Sequence, residues 1–351
     1  MVPMRSTIIH AAGDVRLDTI PDPTIIAPTD AIVRIIRTCV CGSDLWAYRG
    51  TEHTDEPHPI GHEFIGVVED TGTDVALKPG TFVISPFSDS DGTCQHCTNG
   101  IFTSCEQGGF WGGLNRSGEQ LGGAQSEYIR VPFADGTLVA LDDHPDDTML
   151  ASLLTLSDVM GTGHHAALMA GVKPGANVVV VGDGAVGLCG ILAAKRLGAG
   201  RIIAMSRHEP RQKLALEFGA TDIVAERGKE GVAHVKELLG GIGADSALEC
   251  VGTKGSMGQA LSSLRPGGHL GFVGVPAGAP ELPVGAIFSK NLRVSGGVAP
   301  VRDYIRELLP DVMDGTLNPG RVFDTEMSLN DVSSAYTAMD ERTAIKVMLT
   351  P

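Results

Sequence analysis

The rhythm of hydrophobic positions changes once along the chain. Up to about residue 155, short β-branched and apolar runs at 31–36, 64–68, 82–84 and 128–131 alternate with Gly, Pro and Asp turns, Lys78-Pro79-Gly80 among them. Runs this short, bounded by turn formers, predict the strands of a compact, barrel-like β domain. From about residue 160 the spacing lengthens. Residues 178–181 are wholly apolar and predict a buried strand, and 185–197 predict a helix with small residues toward its start. A second strand follows at 201–205, a second helix at 210–218, and further buried strands at 244–250 and 268–273. Strands alternating with helices predict a doubly wound parallel sheet. After about 296 a helix at 302–309 and a last strand at 345–349 are too little for a domain of their own, so this tail is expected to return and complete the first.

A length of 351 residues suits two domains, and 42% apolar residues suffice for two cores. The 46 glycines imply many tight turns and close backbone approaches. With 27 basic and 42 acidic residues the net charge is −15, which argues against nucleic acid or an anionic membrane as the main partner. Residues 1–17 hold no continuous apolar run, so no signal peptide is expected. The longest apolar stretch, 178–194, is broken by Asp183 and four glycines, too interrupted for a membrane span. Seven cysteines, three of them clustered, point to metal-bound thiolates in a reducing, cytoplasmic setting rather than to disulfides.

Two motifs carry chemistry. Gly182-x-Gly184-Ala185-Val186-Gly187 follows a predicted strand and opens a predicted helix. In such a turn the first glycine permits the bend, the second lets backbone approach a pyrophosphate, and the third lets helix and strand pack closely. The free N–H groups of the helix start then face the anion. The next strand bears on the nucleotide. An NAD site places Asp or Glu about 20 residues beyond the glycines, accepting from the ribose 2′-OH. Here 204–208 read Ala-Met-Ser-Arg-His, with no carboxylate before Glu209. Ser206 can donate to a 2′-phosphate, Arg207 can pair with it or stack on adenine, and Arg211 can add charge, so NADP is expected over NAD.

The second motif is Cys94-x2-Cys97-x7-Cys105, three thiolates on a short loop. Structural zinc takes four closed ligands, and counting back by the same step gives Asp91 as the fourth, with His96 as a rival. Three thiolates with one carboxylate should hold zinc somewhat less firmly than four thiolates. Cys41, His62 and Asp158 would suit a catalytic zinc with an open position, but they are far apart in sequence, and their residue types alone do not group them.

Taken together, the chain resembles the zinc-containing alcohol dehydrogenases of the medium-chain dehydrogenase/reductase superfamily along essentially its whole length. The matching stretches are Cys41-Gly-Ser-Asp44, Gly61-His-Glu-Phe-Ile-Gly66, the Cys94 to Cys105 lobe, residues 158–166 and Gly182 to Gly187, in the family's order. The resemblance implies an α/β protein: a GroES-like β-rich catalytic domain from 1–157 and 297–351, with a structural zinc lobe at about 88–110, and a Rossmann NADP-binding domain with a doubly wound parallel sheet at 158–296. The active site would lie in the cleft between them. It implies Cys41, His62 and Asp158 as catalytic zinc ligands, the third being Cys, Glu or Asp in different branches. Glu63 would act as a transient ligand during water exchange, and Asp44 would hold the His62 ring in its metal-binding tautomer. The NADP-linked secondary-alcohol branch is similar in carrying Asp followed by Thr-Gly and His, as in Asp158…Thr162-Gly163-His164, and a pair like Ser206-Arg207.

Two departures stand out. The lobe has Asp91 where the family usually has a fourth Cys, and the neighbourhood of Ser43 reads Leu45-Trp46-Ala47, without the His that completes a proton relay in several branches. Ser43 keeps the first relay step, with a ribose hydroxyl and water, or another group, beyond it. The expected reaction is hydride transfer between an alcohol and NADP, reversed for an aldehyde or ketone. A sugar or polyol dehydrogenase of the same architecture and a non-catalytic NADP-binding protein are the alternatives. Trp46 and the Phe110-Trp111 pair are split between pocket lining and packing, and Cys39, Cys189 and Cys250 are expected as small buried hydrophobes. His165 falls at a position near the cofactor in the family, with a structural role equally open. A homo-oligomer, dimer or tetramer, is expected through 292–295 or 285–288.

Overall fold

The computed structural model describes residues 3–51, 56–276 and 281–351. The chain separates into two compact units, Met1–Asp158 with Pro300–Pro351, and Val159–Ala299.

The first unit is built on a seven-stranded sheet. Its central strand, Ala31–Cys39, pairs antiparallel with Phe64–Thr71, Tyr128–Val131 and the C-terminal Val347–Thr350. Phe64–Thr71 in turn carries Phe82–Ser85. A smaller sheet has Met4–Ala11 between Asp14–Ile20 and His58–Pro59. One core gathers Val33, Ile35, Phe64, Val83, Trp111, Leu121 and Ile129. A second joins Ile9, Leu45 and Ile60 to Val332, Tyr336, Val347 and Leu349, so the C-terminal residues complete this unit's interior. Trp111 is packing: it is buried against Phe64 and donates Nε1–H to the Pro86 carbonyl at 2.8 Å. The last strand starts at Val347, because the N–H groups of Ile345 and Lys346 are drawn to the Asp324 carboxylate at 2.9 and 3.3 Å instead of a ladder partner.

The second unit holds a six-stranded, all-parallel sheet. Its order is Asp222–Val224, Arg201–Met205, Asn177–Val181, Ala244–Glu249, Leu264–Phe272, Arg293–Gly296. The chain runs outward from Asn177–Val181 to one edge, then returns to the other side of it, which creates a switch point at the carboxyl end of that strand. Val178 to Val181 are fully buried because both faces are covered by helices, which explains their unbroken apolar run. Leu264–Phe272 begins earlier than its sequence suggests. Its pairing with Ala244–Glu249 shifts between Ala244 and Ser246, and this irregularity accommodates Pro266-Gly267-Gly268. Residues 285–288 lie in the helix Val284–Ser289, whereas Arg293–Gly296 forms an edge strand. His164 and His165 are buried in the helix Val159–Met169, and burial beside His164 pushes His165 down to about 4. Cys39 and Cys189 are buried; Cys250 is partly exposed.

No described helix is long and apolar enough to cross a membrane.

Candidate metal centres and cofactor turn

Strand register decides which side chains meet in the first unit. In the antiparallel pair Ala31–Cys39 and Phe64–Thr71, Thr38 stands opposite Phe64. The chain leaving one strand therefore runs beside the chain entering the other, which puts Cys41 next to His62 and Glu63. Thr38 Oγ1 donates to the Glu63 carbonyl at 2.8 Å, and Ser157 Oγ donates to the Phe64 carbonyl at 3.0 Å, which brings Asp158 to the same end. Gly61 sits at φ +94°, and a Cβ there would collide with Gln125, so only glycine turns the chain into His62 at this point.

Cys41, His62, Glu63 and Asp158 offer donor atoms that all lie within 4.8 Å of one another. His62 Nε2 is 3.4 Å from Asp158 Oδ2, and Cys41 Sγ is 3.7 Å from the same oxygen. Donors bound at about 2.0–2.3 Å with tetrahedral angles would themselves be about 3.3–3.7 Å apart, so these spacings fit a zinc ion. Sulfur, imidazole nitrogen and carboxylate oxygen form a donor set that zinc accepts. His62 Nδ1 faces Asp44 Oδ1 at 3.1 Å, which leaves Nε2 as the ligand atom. Asp44 is itself held: its Oδ2 accepts from the Cys41 N–H at 2.9 Å and from Gln125 Nε2 at 3.1 Å, and Tyr336 donates to Gln125 Oε1 at 3.1 Å. Burial opposes charge on His62, yet Asp44 and Cys41 raise its pKa well above the ordinary value.

Glu63 and Lys346 are both 1% exposed and paired at 2.7 Å, with Lys346 also donating to the Val40 carbonyl at 3.2 Å. Glu63 Oε1 lies 3.9 Å from His62 Nε2, while Glu63 Oε2 is buried without a hydrogen-bond partner. Gln125, Tyr336 and Lys346, which contact Asp44, Gln125 and Glu63 respectively, are positions that sequence reasoning missed. None lies in a motif, and only the return of the C-terminal residues brings Tyr336 and Lys346 here.

The second cluster, Asp91, Cys94, Cys97 and Cys105, also has its donor atoms within 4.8 Å. Asp91 Oδ1 accepts from the N–H groups of Thr93 and Cys94 at 2.7 and 2.8 Å. Burial opposes its charge, but the Cys94 and Thr93 amides hold the carboxyl down at about 2. Asp91 therefore presents an ionised oxygen to the thiols. His96 is outside this group.

In the second unit Gly182 has φ +123°, and a Cβ at Gly187 would strike the Gly182 carbonyl. A Cβ at Gly184 would meet nothing within 4 Å, which leaves open space against the backbone where a pyrophosphate fits. The helix Ala185–Arg196 starts here and contains Ala185, Val186 and Gly187. Ser206 directly follows the neighbouring strand Arg201–Met205 and is buried, whereas Arg207 is exposed. Ser206 Oγ is turned toward Asp183 Oδ2 at 2.8 Å, and Arg211 Nη1 lies 3.5 Å from Asp183 Oδ1. Asp183, a residue of no assigned role in the sequence motif, thus stands at the centre of this group.

Two expected outcomes follow from these contacts. Asp44→Asn should weaken zinc affinity about 10–100-fold, read by competition with a chelator, because His62 loses its charged orienting partner. Lys346→Met should destabilise the chain by about 3–5 kcal/mol in urea denaturation, since Glu63 is left buried and unpaired. Adding Glu63→Gln to that variant should restore a large part of the loss; if it restores none, the pair is not the cause.

Residues 27–143 match the family model of the alcohol dehydrogenase GroES-like domain, and 185–313 match that of the zinc-binding dehydrogenases. A probable zinc-binding alcohol dehydrogenase of Mycobacterium tuberculosis is 33% identical over 97% of this chain and 86% of its own length. A zinc-type alcohol dehydrogenase B of Aspergillus flavus is 31% identical, over 98% of this chain and 81% of its own. Among solved structures, an alcohol dehydrogenase of Thermus sp. ATN1 superposes with a TM-score of 0.92 at 33% identity, over 99% of this chain and 100% of that one. With both family models matched, a relative 33% identical over 97% of the chain, and two clusters able to hold a metal ion, the chain belongs to the zinc-type alcohol dehydrogenases of the medium-chain dehydrogenase family.

Proposed function

We propose that this chain interconverts simple alcohols and their aldehydes or ketones with NADP(H) as the preferred cofactor, using one zinc ion at Cys41, His62 and Asp158 and a second at Asp91, Cys94, Cys97 and Cys105. The observation that carries the reading is the convergence of Cys41, His62 and Asp158, distant in sequence, at ligand spacing. When bound, the catalytic ion supplies Lewis acidity that lowers the pKa of an alcohol hydroxyl, and the nicotinamide supplies the carbon that exchanges hydride. Ser43 Oγ stands 3.5 Å from His62 Nε2, beside the ligand cluster, where it would accept the substrate hydroxyl proton while giving its own to a ribose hydroxyl or water. Asp44 keeps the His62 ring in one tautomer. Lys346 tethers Glu63 beside the ligand cluster, from which it can exchange in as a transient ligand.

The turn at 182–187 would hold the pyrophosphate, and the exposed Arg207 supports a 2′-phosphate, with Ser206 and Arg211 adding to it as far as their contacts with Asp183 allow. Simple alcohols are favoured over polyols by the walls near the site. The Phe87 ring is edge-on to His62 with centroids 6.5 Å apart, and Phe110, 46% exposed, stacks on Phe87 at 5.9 Å. Such surfaces leave additional hydroxyls unpaired, which is costly. A homo-oligomer along the edge strand Arg293–Gly296, near the exposed Val284, Phe288 and Val298, belongs to the same proposal. Sedimentation at the mass of one chain would remove it.

Metal analysis of the purified protein should find two zinc ions per chain. One would mean an empty lobe, and none would sink the enzymatic reading. Cys41→Ser should abolish turnover while leaving NADPH binding nearly intact, as followed by fluorescence; loss of both would show the two sites to be misassigned. Turnover of primary alcohols, secondary alcohols and polyols with NADP and NAD then reads substrate and cofactor preference directly.

A further inference from the structure

At the strand end where a dinucleotide site normally carries the acid that reads the 2′-position, this chain has Ser206, a residue able to serve a phosphate. Its hydroxyl, however, is already committed. Ser206 Oγ donates to Asp183 Oδ2 at 2.8 Å, and Ser206 is 1% exposed, so the hydroxyl has little freedom to turn elsewhere. The nearby cation is drawn to the same carboxylate: Arg211 Nη1 lies 3.5 Å from Asp183 Oδ1 and 3.3 Å from the Asp183 carbonyl oxygen. Gln212 Nε2 donates to the Ser206 carbonyl at 2.8 Å, which holds that strand end in place. The side chains of Asp183 and Arg211 are 12% and 11% exposed, so solvent screens this group weakly.

We propose that Asp183 is a specificity-determining residue for the cofactor: its carboxylate accepts from an unmodified adenosine ribose and opposes a 2′-phosphate. Two effects act in the same direction. Any phosphate that accepted from Ser206 Oγ would stand within about 6 Å of the Asp183 carboxylate, where two negative charges repel appreciably in a partly buried site. Asp183 also occupies the Ser206 hydroxyl and draws Arg211 Nη1 toward itself, two groups a phosphate would call on. The acid that an NAD site carries at the strand end is thereby replaced by one inside the glycine turn. Arg207, which is exposed, still attracts a phosphate from the outer side. Asp183 therefore restrains the NADP preference and keeps NAD usable. This inference rests on the nucleotide lying along the 182–187 turn.

The test compares ADP-ribose with 2′-phospho-ADP-ribose by titration calorimetry on the wild-type chain and on Asp183→Asn. The two probes differ only in the 2′-phosphate and need neither zinc nor turnover. Asn retains an oxygen acceptor for Ser206 and removes the charge, and the affinity ratio should shift toward the phosphorylated probe by about tenfold. Asp183→Ser provides a second uncharged variant, should Asn disturb the turn, with a shift in the same direction expected. An unchanged ratio in a variant that still binds ADP-ribose overturns the role of Asp183 and leaves the cofactor site standing. Failure of the wild-type chain to bind either probe overturns both.

Discussion

The pairing of Ala31–Cys39 with Phe64–Thr71 is the constraint on which the cluster of Cys41, His62, Glu63 and Asp158 depends. Cys41 and His62 belong to no common turn or helix, and only the register that sets Thr38 opposite Phe64 brings them within reach of one ion. A slip of one residue would turn Val33, Ile35 and Phe64 away from the core, so burial of those side chains also enforces the metal geometry. Ser157 extends the same arrangement, since its bond to the Phe64 carbonyl ties Asp158 to the strand that follows His62. Packing energy spent on the sheet is thus also what preorganises the ligands.

Charge at this centre is handled by enclosure rather than by solvent. Asp44, Glu63 and Lys346 are all buried, an arrangement that is costly unless each charge has partners. Asp44 has three, in Cys41, His62 and Gln125. Glu63 has Lys346 on one oxygen and none on the other. The oxygen that faces His62 Nε2, at 3.9 Å, is the one that Lys346 holds. The Asp91 lobe handles charge differently. Its carboxylate is partly exposed and is kept ionised by two local amides, so it can replace a thiolate without a distant partner.

In the second unit the parallel order of the sheet places the glycine turn at the strand where the chain reverses its direction of travel, with Arg201–Met205 alongside. That neighbour relation makes Asp183 and Ser206 a pair although more than twenty residues separate them in sequence. Reading the glycine motif and the strand end separately favours a phosphate at the 2′-position. Reading them as one surface adds an acid.

Sequence alone was sufficient for whatever depends on local pattern or short spacing. The β-rich segment, the strand–helix alternation, the glycine turn and the thiolate loop at 94–105 are each written in neighbouring residues. The strand at 264–272 and the C-terminal strand were misplaced at their starts, because the pairing of Leu264 with Ala244 ahead of Pro266 and the capture of the Ile345 N–H by Asp324 involve partners that no window contains. Cys41, His62 and Asp158 could be grouped only by resemblance. Gln125, Tyr336 and Lys346, and the capture of Ser206 by Asp183, were not legible at all. Those contacts join residues that the chain brings together only by folding, and a polar side chain carries no mark in sequence of the partner that burial will force upon it.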